Sequence, residues 1–111
     1  MIDVTIFRLG EQIAAFEISG HAGSGPYGFD LVCAGVSAVS FGAVNAVLEL
    51  CQINLEIEQG NEGGYLHVAL PADLDDRLTA KVQLLFAGMI VSLKTIASEY
   101  SQFITIVNKE V

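Results

Sequence analysis

The chain has 111 residues, the size of one ordinary domain, and its 52% apolar content and mean hydropathy of +0.54 exclude an intrinsically disordered protein. Its net charge is −8, with 13 acidic residues against five lysines and arginines. Because a nucleic-acid-binding surface needs clustered cations, this balance argues against direct contact with nucleic acid. We expect residues 1–111 to form a single domain.

A β-hairpin is predicted at the start of the chain. Residues 2–9 and 12–19 are two strand-like runs that flank Gly10-Glu11, a dipeptide that fits a tight turn. Residues 20–28 (GHAGSGPYG) then hold four glycines and a proline, which predicts a mobile loop. The first helix is therefore expected to begin after this loop.

An uncharged segment follows the loop and predicts the first helix, over residues 29–51 with Asp30 as its N-cap. Residues 31–48 carry no charge over 18 positions, which is the lower limit for crossing a bilayer. The segment is nevertheless rich in small residues and lacks the Lys or Arg flank that orients a membrane span. We interpret it as a helix packed within a small domain and expect no membrane association.

The second half of the chain predicts two further strands, a second helix and a last strand. Ile53, Leu55 and Ile57 alternate with polar residues, which is typical of a half-buried strand. A glycine-rich turn at 60–64 returns the chain into another strand. The remaining predicted elements are that strand over 65–70, a helix over 74–100 capped by Asp73, and a strand over 103–107.

The resulting order, ββαββαβ, predicts an α+β fold. We expect a two-layer sandwich in which two helices cover one face of a mostly antiparallel five-stranded sheet. Alanine, glycine and serine crowd both helices, and such small residues let two backbones approach closely. The two helices are therefore expected to contact each other.

Two cysteines, Cys33 and Cys51, do not make a disulfide framework. On one helix the 18 residues between them correspond to about 27 Å, whereas a disulfide needs Cα atoms within about 7 Å. The N-terminal segment lacks the ordered regions of a signal peptide, so we expect a reducing, cytoplasmic location. The cysteines and the two histidines show no paired metal-ligand spacing, and we expect neither a metal nor a cofactor.

The junction between the glycine-rich loop and the first helix is the strongest candidate for chemistry. With Asp30 as the cap, Cys33 lies in the first turn, where unpaired N–H groups and the helix dipole should lower the pKa of its thiol. His21 enters from the preceding strand and can accept and donate the proton. Ser37 lies one turn beyond Cys33 on the same helix face.

Each of these features also has a plainer interpretation. A lone cysteine near a helix start is more often a packing residue, and a lone loop histidine more often faces solvent. Asp30 can be a helix cap and nothing more, and a glycine-rich loop can simply turn a corner. The pattern of residues has to be judged as a whole.

Taken together, residues 20–37 resemble a family signature. Gly20-His21-Ala22, a glycine-containing spacer, and then G-x-D-x-V-C-A-x-V-S at 28–37 are similar to the motif of the ribosomal-processing cysteine proteases (Prp), and the chain length and element order are similar too. Members of that family cut a short N-terminal extension from a large-subunit ribosomal protein, after aromatic residues and before a small one. The resemblance implies a ribosomal protein precursor as partner and a homodimer.

The resemblance also implies a role for each motif residue. Cys33 is the expected nucleophile and His21 its general base and acid. The supporting and substrate-loop positions are Gly20, Asp30, Ser37, Gly23, Gly25 and Gly28. These loop glycines let the backbone approach an extended peptide without Cβ clashes. Backbone N–H groups at the helix start, including that of Cys33, are candidates for the oxyanion hole.

Two other functional classes stay open on the sequence. One is a non-catalytic ribosome-associated module that binds a basic ribosomal protein through its acidic surface. The other is a thiol-redox protein, which the absence of C-x-x-C and the distance of Cys51 from Cys33 disfavour. Thiol chemistry is what distinguishes the protease from the binding module.

Overall fold

The computed structural model describes residues 1–23, 25–26, 30–61 and 63–111. Within these ranges the chain forms five strands and two helices in the predicted order ββαββαβ. They are β1 (Ile2–Leu9), β2 (Gln12–Ser19), α1 (Leu31–Leu50), β3 (Glu56–Gln59), β4 (Tyr65–Ala69), α2 (Asp76–Glu99) and β5 (Ile104–Glu110).

The strands form a mixed sheet in the order β3-β4-β2-β1-β5. Neighbouring strands are antiparallel except β1 and β5, which run parallel because α2 carries the chain back before β5 begins. The Ile2 N–H donates to the Phe103 carbonyl oxygen at 2.8 Å, which ties the start of β1 to the residue before β5. The prediction of a mostly antiparallel sheet is confirmed.

Both helices cover one face of the sheet, and the core lies between the two layers. Alternate residues of β1, β2 and β4 are buried on that face, among them Val4, Phe16 and Val68. The Phe16 ring packs edge-on against Phe86 of α2, with ring centroids 5.1 Å apart. The predicted two-layer sandwich is therefore the observed architecture.

The two helices touch each other, as their small residues predict. A Cβ at Gly35 of α1 would lie 3.7 Å from Ile96 Cδ1 of α2, an ordinary van der Waals contact. Among the described residues Ser40 is the buried polar one, and its hydroxyl donates to the Val36 carbonyl oxygen at 2.7 Å. This bond satisfies the hydroxyl inside the helical layer.

Side-chain caps set the starts of both helices. The Cys33 N–H donates to Asp30 Oδ1 at 3.0 Å, which confirms Asp30 as the cap of α1. The prediction for α2 is wrong by two residues, because its cap is Asp75 and not Asp73. Asp75 Oδ1 accepts the Leu78 N–H at 2.8 Å, and the helix begins at Asp76.

Two strands also differ from the prediction. β3 begins at Glu56, lies at the edge of the sheet beside β4, and has exposed side chains. Ile53 and Leu55 lie before the strand and pack partly against the core, so the alternation does not mark a half-buried strand. β5 continues to Glu110, since its parallel register with β1 extends to the pairing with Arg8.

Both helices are long and apolar enough, by length and composition, to cross a membrane. That test is weak evidence, because the core helix of a soluble protein passes it as well. Here each helix contributes five buried side chains to the core. Packing in the sandwich accounts for part of their apolar character, while other apolar side chains of both helices, such as Leu31 and Leu84, are exposed.

Candidate active site

A cleft of about 680 Å³ opens beside the N-terminal half of α1. The loop after β2 and the connection between β3 and β4 form its other sides. Seven of the predicted site residues line it: Gly20, His21, Gly23, Gly25, Asp30, Cys33 and Ser37. The eighth, Gly28, lies outside the described residues. The structure thus brings together every described residue that the sequence places at the site.

Cys33 is held in the first turn of α1 by the cap of its own helix. Its N–H donates to Asp30 Oδ1 at 3.0 Å, and the Ala34 N–H donates to the Asp30 carbonyl oxygen at 3.0 Å. The half-buried thiol lies at the cleft wall, where Sγ accepts the Ala22 N–H at 3.2 Å. Because Asp30 already engages the Cys33 N–H, this donor is not free for the oxyanion role expected from the sequence.

The pKa of the Cys33 thiol is raised, so the lowered pKa predicted from the helix dipole is wrong. Burial is the largest cause, because it penalises the charged thiolate. The Ala22 N–H and the N-terminal ammonium lower the pKa, whereas the Asp30 carboxylate raises it through a hydrogen bond and its negative charge. The residue that caps the helix therefore also opposes ionisation of the thiol.

The His21 imidazole is exposed and lies beside the connection between β3 and β4. A Cβ at Gly64 would lie only 2.7 Å from His21 Nε2, and the Gly64 backbone has a φ of +73°. The Gly20 N–H donates to the Gly64 carbonyl oxygen at 2.8 Å, which fixes this connection next to the histidine. Within the described part of the chain, no hydrogen bond joins the His21 ring to Cys33 Sγ.

The N-terminus of the chain anchors the backbone of His21. The Met1 ammonium donates to the His21 carbonyl oxygen at 2.7 Å. Gly20 has a φ of +92°, and a Cβ at this position would collide with the Met1 carbonyl oxygen. Only glycine fits between β1 and the loop, so Gly20 acts on the site through the backbone.

Part of the cleft wall is apolar. This part is formed by Ile2, Ile18, Leu66, Val36 and Phe41. Ser37 lies on the same part of α1 and is exposed at the cleft, as the one-turn spacing from Cys33 predicts. An apolar recess beside a thiol suits a large apolar or aromatic side chain.

Gly64 and Tyr65 are among the cleft residues that sequence reasoning missed. The Tyr65 hydroxyl donates to Glu17 Oε2 at 3.2 Å, and burial together with that carboxylate raises the pKa of the phenol. In the sequence, the one indication of this close contact is Gly64, the second glycine of the Gly63-Gly64 pair. Its partner, His21, comes from a distant part of the chain, so the sequence cannot name it.

A thiol and an imidazole in one cleft can carry out acyl transfer, in which the imidazole removes the thiol proton and the sulfur attacks a carbonyl carbon. The second thiol, Cys51, is buried at the C-cap of α1 and does not line the cleft. Among the described residues, no group of three His, Cys, Asp or Glu side chains is arranged to hold a metal ion. The site's chemistry is that of its thiol.

Comparison with known proteins identifies one family. The sequence profile described as Cysteine protease Prp matches residues 1–105. The Ribosomal processing cysteine protease Prp of Bacillus subtilis is 48% identical over 101 residues, which are 90% of this chain and 90% of that protein.

Solved structures agree with the sequence comparison. The essential ribosomal processing protease Prp from Staphylococcus aureus, in complex with a covalently linked product peptide, matches with a TM-score of 0.89 at 37% identity. That match covers 98% of this chain and 100% of the other. The S. aureus protease in complex with a substrate peptide matches over the same shares of both chains, with a TM-score of 0.81 at 37% identity. Sequence and fold agree over nearly the whole length, and the chain is therefore a cysteine protease that belongs to the Prp family.

Proposed function

We propose that this protein removes the short N-terminal extension of a large-subunit ribosomal protein precursor, with Cys33 as nucleophile and His21 as general base and acid. The observation that carries the proposal is the shared cleft, which Cys33, His21 and five predicted supporting residues line. The substrate is supported by the names of the relatives, since the B. subtilis and S. aureus proteins are ribosomal processing proteases.

The reaction is an acyl transfer in two steps. His21 takes the Cys33 proton, and Sγ attacks the scissile carbonyl carbon, so that the carbonyl oxygen becomes an oxyanion. The C–N bond then breaks while His21 gives the proton to the leaving amine. Water, deprotonated by His21, hydrolyses the thioester and restores the thiol.

The resting geometry requires a movement before this reaction. The pKa of Cys33 is raised, and the His21 ring makes no hydrogen bond to the sulfur within the described residues. Because the His21 ring is exposed, it is free to turn toward Sγ once an extended peptide fills the cleft. Substrate binding then couples recognition to activation of the thiol.

The apolar recess supplies specificity for the aromatic residue before the cut. Val36, Phe41 and Leu66 offer it an apolar surface next to Cys33. Gly60 and Gly64, which also line the cleft, present backbone without side chains, which lets an extended peptide approach closely. The recess and the glycine wall together fit an extended segment with one large side chain.

Charge and surface support the partners that the family resemblance implies. The net charge of −8 favours encounter with a basic ribosomal protein, and two free thiols fit a reducing cytoplasm. Leu84 and Val91 are exposed apolar residues on α2 that do not line the cleft, and a second copy of the chain would cover them in a homodimer.

Cleavage of a peptide that carries an extension ending in two aromatic residues, followed by a small residue, tests the proposal by mass spectrometry. Cys33→Ser and His21→Ala are each expected to lower the rate by more than about a thousandfold. His67→Ala is the matched control, because His67 alternates with the buried Leu66 and Val68 and does not line the cleft. It should cleave at the parent rate.

Peptide binding by Cys33→Ser separates catalysis from recognition. Serine keeps the shape of the side chain, so the variant should bind the peptide without turning it over. Cleavage at the parent rate by Cys33→Ser or His21→Ala would contradict the dyad. A parent protein that binds the peptide and never cleaves it would support the binding module instead.

A further inference from the structure

One peptide unit lies between the N-terminus of the chain and the Cys33 thiol. This unit joins His21 to Ala22. Its carbonyl oxygen accepts from the Met1 ammonium at 2.7 Å, and its N–H donates to Cys33 Sγ at 3.2 Å. In a trans peptide the C=O and N–H groups point in opposite directions, so the two hydrogen bonds lie on either side of one dipole.

The surrounding structure holds this peptide unit in place. Ala22 is only 6% exposed and belongs to the core. The preceding residue, Gly20, donates its N–H to the Gly64 carbonyl oxygen at 2.8 Å. On the other side, Ile2 follows the Met1 ammonium, and the Ile2 N–H donates to the Phe103 carbonyl oxygen. The dipole is therefore oriented before any substrate binds, which is the condition for electrostatic preorganisation.

We propose that the His21–Ala22 peptide unit is a catalytic element that stabilises the Cys33 thiolate, and that the Met1 ammonium polarises it from the other side. This inference rests on the proposed role of Cys33 as nucleophile. The Ala22 N–H bonds the sulfur directly, and that bond becomes charge-assisted when the thiol ionises. The ammonium strengthens it, because linked hydrogen bonds polarise one another.

Charged and titratable groups act on the Cys33 thiol or line the same cleft from four parts of the fold. They are the Met1 ammonium before β1, His21 in the loop, Asp30 at the cap of α1 and Tyr65 on β4. Asp30 opposes ionisation, whereas the Ala22 N–H and the ammonium favour it. The peptide unit thus offsets part of the cost that burial and the cap impose on the thiolate.

Replacing the amide between residues 21 and 22 by an ester tests the N–H directly. Lactic acid in place of Ala22, introduced into the full chain by nonsense suppression, removes the N–H and keeps the methyl group. Alkylation of Cys33 by iodoacetamide is followed across pH by peptide mapping. We expect its midpoint to move to higher pH and its rate near neutral pH to fall about tenfold, since a hydrogen bond to a charged group is lost.

The same ester at Ala72 is the matched control. Ala72 is an exposed alanine between β4 and α2 that does not line the cleft, so its ester should leave the alkylation profile unchanged. Selective acetylation of the Met1 amine tests the other end of the peptide unit without changing the backbone. It should lower the rate about threefold.

Each outcome decides a part of the proposal. Equal profiles for the Ala22 and Ala72 esters would overturn the role of the peptide unit, and an unchanged profile after acetylation would overturn the role of the ammonium. If the Ala22 ester does not fold, acetylation still tests the role of the Met1 ammonium. A slower alkylation after acetylation would then show that the ammonium acts on the sulfur through the peptide unit. Alkylation needs no peptide substrate, so a parent chain that cleaves no extension peptide refutes the proposed function alone.

Discussion

The two ends of α1 carry the two cysteines of the chain in opposite surroundings. At the N-terminal end Cys33 is half-buried at the cleft wall, and its sulfur accepts a backbone N–H. At the C-terminal end Cys51 is the cap residue and is 7% exposed within the core. Gln52 follows with a φ of +53° and turns the chain away from the helix. One residue type thus faces a cleft at one end and fills the core at the other.

This difference shows that the accessibility of a thiol and its pKa have separate causes. The position of Cys33 in the first turn places its thiol at a cleft, next to a loop that supplies His21 and the Ala22 N–H. The pKa of the thiol is nevertheless raised, because burial and the Asp30 carboxylate outweigh the groups that favour the thiolate. The helix start thus gives the Cys33 thiol access to the cleft, whereas burial and the neighbouring groups set its pKa.

The largest effect expected outside the proposed dyad concerns Gly64, which lines the same cleft as Cys33. Gly64→Ala would place a methyl group 2.7 Å from His21 Nε2, so the ring must move from its place against Gly64. We expect kcat/KM on the extension peptide to fall about a hundredfold, the cost of a misplacement near 1 Å.

Gly63→Ala is the matched control for this substitution. Gly63 has a φ of +77°, close to that of Gly64, but a Cβ there would meet nothing within 4 Å. Both variants therefore carry the same backbone strain, and only Gly64→Ala displaces the histidine. Equal losses in the two variants would mean that strain in the connection, and not the position of the His21 ring, controls the rate.

Labelling of the native chain with iodoacetamide sharpens the comparison of the two cysteines. Cys33 is expected to react at least about tenfold faster, because its thiol lines the cleft, whereas Cys51 must wait for local opening of the core. Peptide mapping separates the two sites. Guanidinium should erase the difference, and faster labelling of Cys51 in the native chain would contradict the nucleophile assignment.

The smallest expected effect concerns the cap of α1. Asp30→Asn removes a carboxylate that raises the pKa of Cys33 and keeps a side chain that caps helices well. The thiolate is favoured, so the pKa of Cys33 should fall, and alkylation near neutral pH should become about threefold faster with its midpoint at lower pH.

Asp75→Asn makes the same exchange at the cap of α2, outside the cleft, and should leave the profile in place. A midpoint that moves to higher pH in Asp30→Asn would mean that the carboxylate assists ionisation of Cys33.

Features that depend on neighbouring residues could be predicted from the sequence. The order of elements follows from local patterns, and Asp30 caps α1 because its side chain bonds an N–H three residues ahead. Two aspartates precede α2, and the sequence does not choose between them. In the structure the cap is Asp75, because α2 begins at Asp76 and the Asp75 carboxylate accepts the Leu78 N–H.

Features that depend on distant segments could not be predicted. The close contact of Gly64 with His21 and the bond from Met1 to the same residue exist only once β1, β2 and β4 lie side by side. The direction of the pKa shift at Cys33 likewise depends on burial, which packing decides. The sequence motif names the residues around the cleft. The pKa of the Cys33 thiol depends on the packing that brings distant segments together.

The parallel pairing of β1 with β5 has a consequence for the time at which the site is built. Ile2 pairs with Ile104 and Arg8 with Glu110, so β1 gains its second neighbour only from the last strand of the chain. Contacts between residues so far apart in sequence close late in folding. Synthesis proceeds from the N-terminus, so we expect Met1 to be fixed against the His21 loop only after β5 has paired with β1. We therefore expect a nascent chain to complete the sheet beside the cleft only after β5 has emerged from the ribosomal exit tunnel.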